Sequence, residues 1–131
     1  LWTPHLMKRV ISREGELITQ YRPKPLKIID VDPEDHAIIL KGLEAVTSAA
    51  GGTGRRMAVP GVRIAGKTGS AENPHGDKTH AWVAAVAPIE DPRIAIAVVL
   101  ENAGGGGAMA APVAGAVLRK FFELEQEEVE Q

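Results

Sequence analysis

The sequence predicts an α+β fold, an antiparallel β-sheet of at least three strands flanked by helices on both faces. Three observations carry this. First, residues 80–87 and 93–100 are apolar runs of strand length, separated only by the reversal Ile89-Glu90-Asp91-Pro92, so they are antiparallel neighbours. Second, residues 93–100 (Arg93-Ile94-Ala95-Ile96-Ala97-Val98-Val99-Leu100) have no polar face. A strand of that kind is covered on both sides. Third, apolar residues recur at helical spacing both before and after the strands, and the many alanines leave room for close packing.

Length and composition set the frame. The chain has 131 residues, 44% hydrophobic and 24% charged, with a formal net charge of -2 and no cysteine. This suits one domain with its own core and excludes thiol chemistry. Without a basic stripe, nucleic acid is not an expected partner. No apolar run approaches the ~20 residues needed to cross a bilayer. The opening Leu1 and an immediate helix signal read as a segment of a longer protein.

Along the chain, Thr3-Pro4 predicts a helix start, with Leu6, Met7 and Val10 as its apolar stripe and Gly15 as its end. Residues 15–25 are polar and interrupted by proline, which predicts a loop or a short exposed hairpin. Ile28, Ile29 and Val31 form an apolar anchor. Asp32-Pro33-Glu34-Asp35 is the strongest capping signal, and it predicts a helix whose buried face is Ile39, Leu40, Leu43, Val46, Thr47 and Ala50. Gly51-Gly52-Thr53-Gly54 is a flexible helix exit rather than a phosphate cradle. Val62 and Ile64 alternate with Arg63 and Ala65, as in a strand. Residues 71–79 form a turn-rich loop. After the strand pair, Gly104 to Gly107 read as a mobile crossing. A last helix is expected near Pro112, with Val113, Val117, Phe121 and Leu124 buried. Residues 123–131 are an acidic tail expected to fray.

Chemistry concentrates in Gly66-Lys67-Thr68-Gly69-Ser70, where a cation, a hydroxyl and bare backbone N–H groups meet at one point. Such a group suits an anion or a developing oxyanion. Residues 61–68 fit the phosphate-loop pattern G-x-x-x-x-G-K-[ST], and Lys67-Thr68-Gly69 fits the K-T-G of penicillin-binding proteins and serine β-lactamases. A K-T-G triplet arises by chance in roughly a few per cent of chains this long, so the flanks decide. A phosphate loop needs a helix next, whereas Gly69, Pro74 and Gly76 follow, and residues 62–65 are strand formers. His75, Asp77 and His80 have the spacing of no common metal site and read as plain polar residues. Trp82, in an apolar strand, reads as core.

The flanks fit the other motif. Residues 64–76, then His80-Ala81-Trp82, Ala87-Pro88 and residues 100–107 follow one order. That order, with Gly42 to Thr47 and Gly52-Thr53-Gly54 upstream, resembles the end of the transpeptidase domain of class B penicillin-binding proteins, most of all the elongation type. The resemblance covers nearly the whole chain, residues 1–122, and implies the β-lactamase/transpeptidase-like fold, C-terminal portion only. It implies an acyl-serine mechanism that cross-links peptidoglycan, with no cofactor or metal. Lys67 would help bind the substrate's terminal carboxylate and support proton transfer. Thr68 would hydrogen-bond that carboxylate, or the equivalent acid of a penicillin. The Ser70 backbone N–H would supply half of the oxyanion hole, and Gly69 would keep the strand edge open for the acyl group. The family more often has Thr where Ser70 stands.

The nucleophile of that family sits in S-x-x-K. Ser12, Ser48 and Ser70 each lack a Lys three residues on, and none begins S-x-N. The resemblance therefore places the nucleophile outside the chain, and this segment alone is expected to be inactive. Implied partners are the peptidoglycan stem peptide, β-lactams, the remaining part of its own transpeptidase domain and cell-wall synthesis proteins. The intact protein would be anchored in the bacterial cell membrane with its catalytic domain on the outer face. A non-catalytic penicillin-sensing or structural module of the same fold is the alternative, followed by a phosphate-loop nucleotide-binding protein.

Overall fold

The computed structural model describes residues 1–74 and 76–129, except the side chains of 124 and 126–129. The chain forms two compact units, residues 1–33 and 34–131.

The first unit is a hairpin rather than the expected helix. β1 (Arg9–Ile11) pairs antiparallel with β2 (Leu17–Gln20). The Ser12 hydroxyl accepts from the backbone N–H of Glu14 and Glu16, and Ser12 N–H donates to Glu16 O, closing the turn. Gly15 takes φ +88, a left-handed value that glycine adopts without strain. Thr3 does not cap a helix; its N–H and hydroxyl both donate to Lys24 O. The stripe read as buried is exposed, Leu6 fully so, and so are Ile28, Ile29 and Val31. The β-branched pairs at Val10-Ile11 and Ile18-Thr19 prefer extended backbone, and here they outweigh the Thr-Pro start signal.

In the second unit α1 (Pro33–Ser48) begins where the capping signal lies, with Glu34 and Asp35 in its first turn. Only part of its expected buried face is buried. Thr47 is buried, Leu40, Leu43 and Val46 are half-buried, and Ile39 and Ala50 are exposed. The exit is fixed rather than flexible: Gly52 N–H donates to Ala49 O and Gly54 N–H to Val46 O, both at 2.9 Å. A 3-10 turn (Arg55–Met57) follows and buries Met57.

The sheet is β3 (Ala65–Ala71), β4 (His80–Ala87) and β5 (Ile94–Leu100), antiparallel in that order. The last two strands stand where the sequence places them. α2 (Gly106–Val129) crosses one face. Ala81, Val83, Ala85 and Ala87 meet Ala110, Ala111, Ala114, Leu118 and Phe122 there, with Met57 and Ile64 completing the core. Alternation along β4 leaves Trp82 and Ala84 on the opposite face. On that side Leu43 of α1 borders a groove of about 400 Å³ with Ala84, Ala95 and Ala97. Trp82 is 43% exposed, so it is not core within this chain.

α2 starts at Gly106, not near Pro112, and its buried face is shifted from the expected one: Val113 and Val117 are exposed and Phe121 half-buried. Gly106 and Gly107 form a packed first turn, not a crossing. A Cβ on Gly106 would lie 2.2 Å from Trp82 O and 2.4 Å from Gly69 O, so only glycine fits over that strand pair. Pro112 inside the helix cannot donate to Ala108 O, four residues back. That carbonyl accepts instead from Arg56 Nη1 at 3.0 Å. The helix continues through the acidic residues to Val129; Glu and Gln are good helix formers.

Candidate active site

The site is built on β3, an edge strand whose one partner is β4, with Gly69 opposite Trp82 and Ser70 opposite Ala81. Among the described residues no strand pairs with its other edge. Lys67, Thr68, Gly69 and Ser70 lie within the strand, and no helix follows them until Gly106. That geometry overturns the phosphate-loop reading of residues 61–68.

Side chains alternate along β3. Lys67 is exposed on the face opposite α2, and its Nζ donates to Thr68 O at 2.7 Å. Thr68 turns toward α2 and is 9% exposed. Its hydroxyl lies 2.7 Å from that of Thr53. Ser70 Oγ accepts from Gly106 N–H at 3.4 Å, so its side chain is directed at the first turn of α2. Gly66 is buried for a packing reason, because a Cβ there would meet Met57 Cε at 2.5 Å. Gly69 has ordinary room, 3.4 Å from Trp82 Cβ.

The entry to β3 is held from two sides. Thr47 Oγ1 donates to Ile64 O at 2.8 Å in a buried bond. Arg63 binds Glu44 of α1 through Nε and Nη2, at 2.7 and 2.8 Å, and Glu90 of the β4–β5 turn through Nη1. The hydrogen bonds from Arg63 hold the Glu44 carboxyl below the usual carboxylate range, and the two carboxylates raise the Arg63 guanidinium. At the far end Asn73 Nδ2 donates to Asn102 Oδ1, and His80 Nδ1 accepts from Asn102 N–H. This gives His80 a structural role; His75 lies outside the described residues. Among the described residues no group of three or more His, Cys, Asp or Glu could hold a metal ion.

Lys67, Thr68, Gly69 and Ser70 are the candidates the sequence offers; Thr53, Arg63, Glu44 and Glu90 are not among them. A hydroxyl between two glycines was the visible signal at Thr53; the ion-paired trio left none, being far apart in the chain.

Comparison with known proteins decides the family. The profile described as "Penicillin binding protein transpeptidase domain" matches residues 1–119. This chain belongs to that family. The chain is 36% identical over 147 aligned positions to "Peptidoglycan D,D-transpeptidase MrdA" of Haemophilus influenzae, covering 98% of this chain and 22% of that protein. It is 37% identical over 134 residues to "Peptidoglycan D,D-transpeptidase FtsI" of Escherichia coli, covering 88% and 22%. Both belong to class B of the penicillin-binding proteins. The chain thus spans about a fifth of the length of these relatives. Among solved structures, the ceftriaxone acyl-enzyme complex of penicillin-binding protein A from Mycobacterium tuberculosis superposes with a TM-score of 0.71 at 31% identity, over 89% of this chain and 27% of that one. The transpeptidase domain of a peptidoglycan glycosyltransferase from Eggerthella lenta gives 0.68 at 30% identity, over 90% and 27%. The fold is accordingly the β-lactamase/transpeptidase type.

Proposed function

We propose that residues 1–122 are the substrate-binding, C-terminal part of an elongation-type peptidoglycan D,D-transpeptidase domain that works through an acyl-serine intermediate. The observation that carries this is Lys67-Thr68-Gly69-Ser70 on a strand that, among the described residues, has no partner at one edge. An extended acyl group can add along such an edge through main-chain hydrogen bonds.

In this reading a serine outside residues 1–131 attacks the carbonyl between the two terminal D-residues. Its proton passes to the leaving amine as the C–N bond breaks, and an ester remains. The Ser70 N–H donates to the oxygen that becomes negative. The Lys67 ammonium, released from Thr68 O, lies beside the carboxylate and the travelling proton. Thr68 O–H donates to the carboxylate. A β-lactam presents an equivalent carbonyl and acid, so the same groups hold it. Acyl-enzyme complexes of a structural relative with ceftriaxone and imipenem support that extension. The intact protein is membrane-anchored, with this domain on the outer face beside other cell-wall synthesis proteins. Among the described residues no helix is long and apolar enough to cross a membrane.

The test uses the full-length protein with a stem-peptide analogue ending in two D-residues and a labelled penicillin. Release of the terminal residue and a covalent penicillin adduct are expected, both slowed by Lys67→Ala. An adduct without peptide turnover would instead support a sensing module, and neither product would contradict the family activity for this protein.

A further inference from the structure

We propose that Thr53 is a positioning residue for carboxylate recognition, acting through the Thr68 hydroxyl 2.7 Å away. The proposal rests on the reading of Thr68 as the carboxylate donor. A threonine hydroxyl has one proton to donate and two lone pairs to accept with. Two hydroxyls at this distance hold one proton between them, and either can be the donor. A carboxylate can only accept. When it docks on Thr68, the Thr68 proton must point at the ligand, so the Thr53 hydroxyl must donate to Thr68 Oγ1. The chain of donors then runs Thr53 to Thr68 to carboxylate, each bond polarising the next. Among the described residues no other side chain hydrogen-bonds Thr68 Oγ1, so without Thr53 the nearly buried hydroxyl would be free to turn from the ligand.

The backbone around Thr53 is built to hold this arrangement. Gly52 and Gly54 return their N–H groups to the end of α1. A Cβ on Gly52 would lie 2.4 Å from Val46 O, so the turn closes only without one. On the other side Gly107, in the first turn of α2, comes so close that its Cβ would be 2.2 Å from Thr53 O. Thr53 is therefore wedged between the exit of α1 and the start of α2, with its hydroxyl over β3. Three segments distant in sequence converge on one hydrogen bond.

The experiment measures second-order acylation of the full-length protein by a penicillin and by the same penicillin with its carboxylate masked as a methyl ester. Thr53→Val should slow reaction with the free acid by roughly three- to tenfold, the range of one hydroxyl hydrogen bond. It should slow the ester, a neutral and weaker acceptor, clearly less than the acid, and Thr53→Ser should restore the acid rate. Thr68→Val should slow the acid reaction at least as much, and adding Thr53→Val to it should cost little more. If Thr53→Val slows acid and ester equally, its role is only structural and the proposal falls. A slow Thr68→Val beside an unchanged Thr53→Val overturns the role of Thr53 but keeps that of Thr68. An unchanged Thr68→Val overturns both.

Discussion

Lys67 and Thr68 are neighbours in the chain, yet their side chains leave opposite faces of β3, in keeping with the separate tasks proposed for them. Lys67→Ala in the full-length protein removes a cation without touching the Thr68 face. A charge-assisted hydrogen bond contributes about 1.5–3 kcal/mol, so acylation should slow by about ten- to a hundredfold or more. Ser70→Ala keeps the backbone donor and loses only a long bond from Gly106, so its effect should be small. Ser70→Pro deletes the N–H and should cost on the order of a hundredfold, provided a melting curve shows the variant folded. The acylation rates of the three variants check this; a Ser70→Ala defect equal to that of Lys67→Ala would contradict the backbone role. These residues were legible in the sequence because they are contiguous and alternate as a strand must. Thr53 was not legible as a partner of Thr68, because the two stand fifteen positions apart and meet only through a fold-dependent turn.

At the scale of elements, close approach outweighs local propensity. Four consecutive glycines are poor helix formers, so the sequence reading put the start of α2 near Pro112. The structure begins it at Gly106 because the helix must sit on the backbone of the Gly69–Trp82 pair. Gly106→Ala should therefore lower stability by about 1–3 kcal/mol through overpacking. Gly105→Ala, whose Cβ would meet only Ser70 Oγ at 3.9 Å, should cost little. Urea midpoints of the two variants check this, and equal midpoints would contradict it. In β1 and β2 one local preference outweighs another, extended backbone at the β-branched pairs over a proline start signal. The ion-paired joint of α1, β3 and the β4–β5 turn adds a pH dependence. Arg63 lowers the folded-state pKa of Glu44. The stability from this group is thus present above the ordinary carboxylate range and lost as pH falls through the folded value. Glu44→Gln should flatten that acid limb of the urea midpoint against pH, and an unchanged slope would show that the pair contributes nothing.

For the whole molecule, the sheet was legible because β4 and β5 are long, apolar and closely linked, and their alanines admit α2. What covers the opposite face was not legible, since a strand pattern marks an apolar face without naming its partner. Trp82, Val99 and the groove beside Leu43 leave apolar surface there, and we expect the remainder of the transpeptidase domain to bury it. Oxidative footprinting of the folded full-length protein should find Trp82 protected relative to the urea-unfolded protein; equal oxidation in both states would contradict that expectation. We propose that this chain clamps substrate for a serine outside residues 1–131. The most direct measurement is peptide mapping by mass spectrometry of the full-length protein acylated by a penicillin. We predict the adduct on a serine outside residues 1–131, forming more slowly in Lys67→Ala. An adduct on Ser12, Ser48 or Ser70 would contradict the account.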